Sequence, residues 1–143
     1  MDDKNPILDL IARRNAAVAR GDAEAIVAPL SEEVVAYTLA PPLAHSGAEA
    51  RDATAVEAWL ATWHEPPRVE LRDPTVLLDG DLAVAFGFAA MRSTTAGGED
   101  NILWYRTTTV LRRRDGKWTI VHEHESVPFL MDGSDKAALD LEP

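Results

Sequence analysis

WYRTTTVLRRRDGKWTIVHEHESVPF, residues Trp104 to Phe129, decides how the chain is read. Both halves are rich in Thr, Val, Ile, Tyr and Trp, which suit a pleated, half-buried strand. Between them Asp115-Gly116 signals a tight hairpin, because glycine accepts the positive φ that such a turn demands. Two long antiparallel strands follow, and their alternation determines which side chains meet indoors.

Two registers compete. A two-residue loop opposes Arg114 to Lys117 and sets Arg106 across from Glu125. A three-residue loop with a glycine bulge opposes Arg113 to Lys117. Trp104, Arg106, Thr108 and Val110 then share a face with Trp118, Ile120, His122, His124 and Ser126. The bulged loop is preferred, since it gathers Tyr105, Thr107, Glu123 and Glu125 on one mostly polar surface. The inner face then runs from an apolar end to an Arg/His end, the layout of a ligand pocket.

Working outward, 143 residues fit one domain spanning 1–143, long enough to bury roughly two-thirds of its unfolded surface. There is no cysteine, which excludes disulfides and thiolate metal sites. No apolar run is long enough to span a bilayer. The opening MDDKNP lacks the basic and apolar regions of a signal peptide, so a cytoplasmic address is the expectation. A formal net charge of −10 argues against nucleic acid and against anionic membrane as partners. Arg112-Arg113-Arg114 reads as a solvated hairpin tip.

Upstream, Asn5-Pro6 is a helix start, and Ile7, Leu10, Ile11, Ala17 and Val18 keep the 3.6-residue period up to Gly21. Arg14 lies on that apolar stripe, where a charge either snorkels or has a partner; snorkelling is the expectation. Asp22 caps a second short helix, closed by Pro29. Val34 to Leu39 reads as a strand, ended by Pro41-Pro42. A third helix carries Val56, Trp59, Leu60 and Trp63 until Pro66-Pro67. Val69–Leu78 and Leu82–Thr94 flank Asp79-Gly80-Asp81 as a further hairpin. Helices followed by long strands give an α+β domain, three N-terminal helices on a curved, mainly antiparallel sheet that encloses a pocket. The other sheet face, expected to carry Leu111, Val121 and Val127, is uncovered and suits a two-fold homodimer.

Three stretches resemble the nuclear transport factor 2-like superfamily, in its ketosteroid isomerase and SnoaL-like polyketide cyclase branch. They are GDAEAIV from Gly21 to Val27, PPLAHSG from Pro41 to Gly47, and DGKWTI from Asp115 to Ile120. The resemblance covers nearly the whole chain and implies a cone-like, cystatin-like roll. In steroid isomerases a tyrosine and a protonated carboxylic acid form an oxyanion hole, and a second carboxylate shuttles the proton. By count those positions are Arg14, Thr108 and Thr38 here, so the steroid-isomerase set is absent and that mechanism is rejected.

The pocket is expected to hold Arg106, His122, His124, Ser126 and Trp104, with Thr38, Tyr37 and Arg14 at its mouth and Trp59 and Trp63 near its wall. Alternate strand residues lie about 7 Å apart, so two imidazoles engage one small ligand. His122 or His124 would serve as base and Arg106 as oxyanion partner in proton transfer next to a carbonyl, of isomerase or cyclase type. The ligand would be a small apolar or carbonyl-containing molecule. The same Arg–Thr–His–Ser ladder also satisfies its own hydrogen bonds and braces a twisted sheet. His122-x-His124 with His45 or His64 fixes no third metal ligand, so neither metal nor cofactor is expected. Three readings stay open: an enzyme, a non-catalytic ligand-binding homodimer, and a dimerisation module.

Overall fold

Pro6 near its start and Gly21 just past its end bracket the first helix, α1 (Asn5–Ala19). Asn5 is helical rather than the cap; its backbone N–H donates to Asp3 Oδ1 at 2.9 Å. Asp22 then caps α2 (Ala23–Val27), accepting from the Ala25 N–H at 3.1 Å. The chain continues through β1 (Leu30–Tyr37), β2 (His45–Ser46), α3 (Gly47–Ala50) and α4 (Ala53–Leu60). The long strands are β3 (Arg68–Asp79), β4 (Leu82–Thr94), β5 (Asp100–Arg114) and β6 (Lys117–Ser126). This computed structural model describes residues 3–143. Two short elements, β2 and α3, fall where the sequence reads as loop, and β1 begins four residues earlier than Val34.

One open sheet holds all six strands in the order β2-β1-β6-β5-β4-β3; only the β1–β6 pairing is parallel. The helices pack on one face. There Ile7 and Leu10 of α1 meet Leu30, Val34, Val76, Leu111, Trp118 and Ile120 of the sheet. A smaller cluster of Ala17, Ala23, Ile26 and Leu60 locks α1, α2 and α4 together. The opposite face stays open, leaving Tyr37, Phe86 and Phe88 40%, 40% and 49% exposed.

The hairpin register resolves in an unexpected way. Its tip is the two-residue loop, Asp115 and Gly116 both at positive φ, with Arg114 opposite Lys117. Three pairs further on, Leu111 opposes Ile120, but the next pair sets Val110 against His122, so Val121 bulges out of β6. A bulge places two residues of one strand against one of its partner and exchanges the faces beyond it. Trp118 and Ile120 therefore point toward the helices, and so do Glu123 and Glu125. Arg106 ends opposite Ser126 and Thr108 opposite His124.

The expected inner face is thus corrected. Trp104, Arg106, Thr108, His122, His124 and Ser126 lie on the open face, while Tyr105, Thr107 and Thr109 face the helices with the two glutamates. Leu111, expected on the uncovered face, is fully buried. At the chain's end, Phe129 and Ala137 form an antiparallel bridge, and Leu139 and Leu141 stay half exposed.

Candidate functional site

Beneath the helices the sheet is floored by small residues. Ala85, Gly87 and Ala89 of β4 oppose Thr109, Thr107 and Tyr105 of β5. With so little side-chain volume on that face of β4, a hollow of about 60 Å³ remains between α1 and the sheet. A single water needs roughly 10–15 Å³ on this measure, so the space admits several waters or the reacting end of a small molecule. Its walls are Ile11, Arg14 and Asn15 of α1, Val69 and Leu71 of β3, and the inward residues of β5 and β6.

Gly87 has a second role. A Cβ there would stand 3.2 Å from the Arg72 carbonyl oxygen and 3.4 Å from Pro74 Cα. The β3–β4 register shifts between Arg72 and Thr75, and Asp73 adopts φ 41°. Glycine lets this bulge press against β4 and bend the sheet.

The hollow's charges form one network. Both guanidinium nitrogens of Arg14 reach Glu123, Nη1 donating to Oε2 at 2.5 Å and Nη2 to Oε1 at 3.2 Å. Its Nε donates to the Ile26 carbonyl oxygen at 2.9 Å, tying α1, the end of α2 and β6 to one side chain. Arg14 and Glu123 side chains are only 19% and 12% exposed. Burial works against both charges. The pair's attraction and hydrogen bonds outweigh it, holding Glu123 below the usual carboxylate range and Arg14 above its own.

Glu125 lacks such a partner. Burial, and then the negative charge of Glu123, push its carboxyl up to about 7, against the weaker pull of Arg14 and of the nearby Tyr105 hydroxyl. Burial and the same carboxyl raise Tyr105 above its ordinary value. Two carboxyls, alternate on one strand and about 7 Å apart, are driven in opposite directions by their surroundings.

On the open face, the His122 ring N–H at Nδ1 donates to the Val35 carbonyl oxygen at 2.6 Å. The Tyr37 ring meets His122 and His124 edge-on at 4.8 and 5.3 Å. Arg106 Nε donates to Ser126 Oγ at 3.2 Å.

A model of the SnoaL-like domain family matches residues 7–130. The chain belongs to the SnoaL-like domain family. A nuclear transport factor 2-like protein of unknown function from Pseudomonas putida is 32% identical, covers 98% of this chain and 96% of its own, and superposes with a TM-score of 0.83. A putative calcium/calmodulin dependent protein kinase II association domain from Xanthomonas campestris is 26% identical over 88% of each chain, with a TM-score of 0.74. A nuclear transport factor 2-like protein with a cystatin-like fold from Novosphingobium aromaticivorans, 23% identical, covers 92% of this chain and 84% of its own, with a TM-score of 0.72. No curated protein matches the chain.

In this SnoaL-like domain, the residues expected in the pocket separate. Arg14 lies in the hollow and has a partner instead of snorkelling. Tyr37, Trp104, Arg106, Thr108, His122, His124 and Ser126 stand on the other side of the sheet, because Val121 bulges out of β6 and reverses the faces beyond it. Thr38 follows the end of β1 and donates to the Ala40 carbonyl oxygen at 3.1 Å. Trp59 and Trp63 stack edge-to-face at 5.9 Å around α4 and do not line the hollow. Glu123, Glu125 and Tyr105 were missed as site residues. One signal pointed to them: an arginine on an apolar helical stripe. His45 pairs with Glu49 at 3.0 Å, and the described residues hold no group of three metal-ligating side chains. Among them, no helix is long and apolar enough to cross a membrane.

Proposed function

We propose that the hollow under α1 binds the reacting end of a small carbonyl compound and that Glu125 moves a proton there, in an isomerase- or cyclase-type step. One observation carries the reading: a half-buried carboxyl pushed up to about 7, at the wall of a hollow, beside a second carboxyl held ionised by Arg14. A general acid–base group works best with its pKa near the operating pH. Ionised, Glu125 accepts a proton from the carbon next to the carbonyl; protonated, it returns one. Tyr105, Thr107 and Thr109 offer hydroxyl donors to the developing oxyanion. The base is thus a glutamate, and His122, His124 and Arg106 take no part.

The test follows deuterium entering the α-position of a panel of small ketones in heavy water. Glu125→Gln should slow exchange by about 10²–10⁴-fold, the usual worth of a positioned general base. The double variant H122A/H124A should not change it. Exchange indifferent to Glu125 removes the proposal.

A second reading concerns assembly and is compatible with the first. The open face carries Tyr37, Phe86 and Phe88 half exposed, and a fold neighbour is described as an association domain. These observations support a two-fold homodimer through the open sheet face.

A further inference from the structure

Two carboxyls and one guanidinium face the hollow under α1, and the way they are paired sets what it admits. Among the described residues that line it, Arg14 is the only lysine or arginine, against Glu123 and Glu125. A guanidinium in the wall of a pocket is ordinarily the group that takes a carboxylate, through paired hydrogen bonds. Here the fork is already filled. Nη1 and Nη2 donate to the two oxygens of Glu123, and Nε donates to the Ile26 carbonyl oxygen. The anion that this arginine would recruit is supplied by the chain itself. The hollow faces the helices, so a second copy on the open sheet face leaves it free.

An incoming carboxylate therefore finds no vacant cation. To reach Arg14 it must expel Glu123, whose side chain is only 12% exposed, and leave that charge without its partner. Otherwise it sheds its water beside Glu123 and Glu125, where like charges repel with little solvent to screen them. An uncharged carbonyl compound meets neither obstacle. Ile11, Val69 and Leu71 give its hydrocarbon part an apolar wall. The Asn15 carboxamide and the Thr107 and Thr109 hydroxyls are neutral donors for its oxygen.

Building on the proton-transfer reading of this site, we infer that Glu123 determines its specificity: by filling the fork of Arg14 it closes the hollow to carboxylates and reserves it for uncharged carbonyl compounds. Simple ketones and the esters of keto acids enter, and the free keto acids do not. Replacing Glu123 by glutamine leaves the guanidinium unbalanced and turns the same hollow toward anions.

The experiment titrates the nitrogen-15-labelled full chain at pH 8 with 2-pentanone, methyl levulinate and levulinate, which share one ketone skeleton and differ in charge. NMR shifts of the backbone amides of residues 11–15 and 123–125 read binding in the hollow itself. The two uncharged compounds should bind on the order of tenfold more tightly than levulinate. Glu123→Gln should raise the levulinate affinity by about tenfold, and R14M/E123Q, which removes the cation as well, should cancel that gain. The comparison on the parent chain needs no variant to fold, and levulinate bound as tightly as its methyl ester overturns the inference by itself. A levulinate affinity unmoved by Glu123→Gln in a folded variant, or no saturable shift with either uncharged compound, overturns it too. Glu125→Gln should keep the preference while losing deuterium exchange. A preference kept while exchange is indifferent to Glu125 removes only the proton-transfer reading. Exchange that needs Glu125, with levulinate bound as well as its ester, removes only the role of Glu123.

Discussion

Arg14 on the first helix holds both carboxylate oxygens of Glu123 on the last strand, 109 residues away, in a fork-to-fork pair. The pair closes one end of the hollow, and it divides two chemically identical side chains into different roles. Glu123 is ionised and saturated. Glu125, two residues on, is left with burial and a neighbouring negative charge.

Removing one member of that pair leaves a largely buried charge alone. Arg14→Met should lower the unfolding free energy by about 3 kcal/mol, the usual cost of orphaning a buried ion. Glu123→Gln should cost less, because the neutral amide leaves the arginine its bond to Ile26. The double variant R14M/E123Q should recover part of the loss. Chemical denaturation of all four proteins gives the coupling energy directly.

The raised carboxyl makes stability depend on pH with a definite sign. Glu125 titrates near 7 in the fold and near its ordinary, lower value when unfolded, so the folded state binds the extra proton between those values. Its contribution is fully present below the unfolded value and is lost as pH rises through about 7. Glutamine mimics the protonated acid. Glu125→Gln should therefore melt close to the parent at pH 3.5 and several degrees above it at pH 8. Melting curves at the two pH values check this, and an equal shift at both would contradict it.

The open-face histidines are structural by this account. His122→Ala removes the bond to the Val35 carbonyl and should cost about 1 kcal/mol. His124 is exposed, and alanine there should fall within about 0.5 kcal/mol of the parent. Denaturant titration reads both, and neither change should move the titration of Glu125.

Self-association through the open face makes a separate prediction. Phe86→Asp sets a charge on that surface, where Phe86 is 40% exposed. Light scattering after size exclusion should show a two-fold assembly for the parent and a monomer for the variant, with melting nearly unchanged. A parent that runs as a monomer at tens of micromolar would remove the assembly reading.

Most of the fold was legible because its signals are local. Gly21, Asp22, Asp79-Gly80 and Asp115-Gly116 mark the ends of elements by backbone requirements that few other residues meet. The strand Leu82–Thr94 was read with its observed limits. The site was not legible in the same way, because face assignment depends on parity, and one inserted residue reverses it. Val121 supplies that residue, and it looks like an ordinary β-branched strand position. Asp73 and Pro74 make a second irregularity in β3 that no periodicity announces. Arg14 was visible as an anomaly from the start. Its partner was not, because nothing local links position 14 to position 123.

The proposed chemistry requires a carboxyl in the hollow poised to give or take a proton near neutral pH. Carbon-13 NMR of the glutamate carboxyl groups, assigned through Glu125→Gln and followed from pH 3 to pH 9, measures that group itself. A Glu125 midpoint near 7 that falls when Glu123 is replaced by glutamine is the expected result. A midpoint in the ordinary carboxylate range, about 4–4.5, would mean that Glu125 is solvated and that the hollow has no such acid.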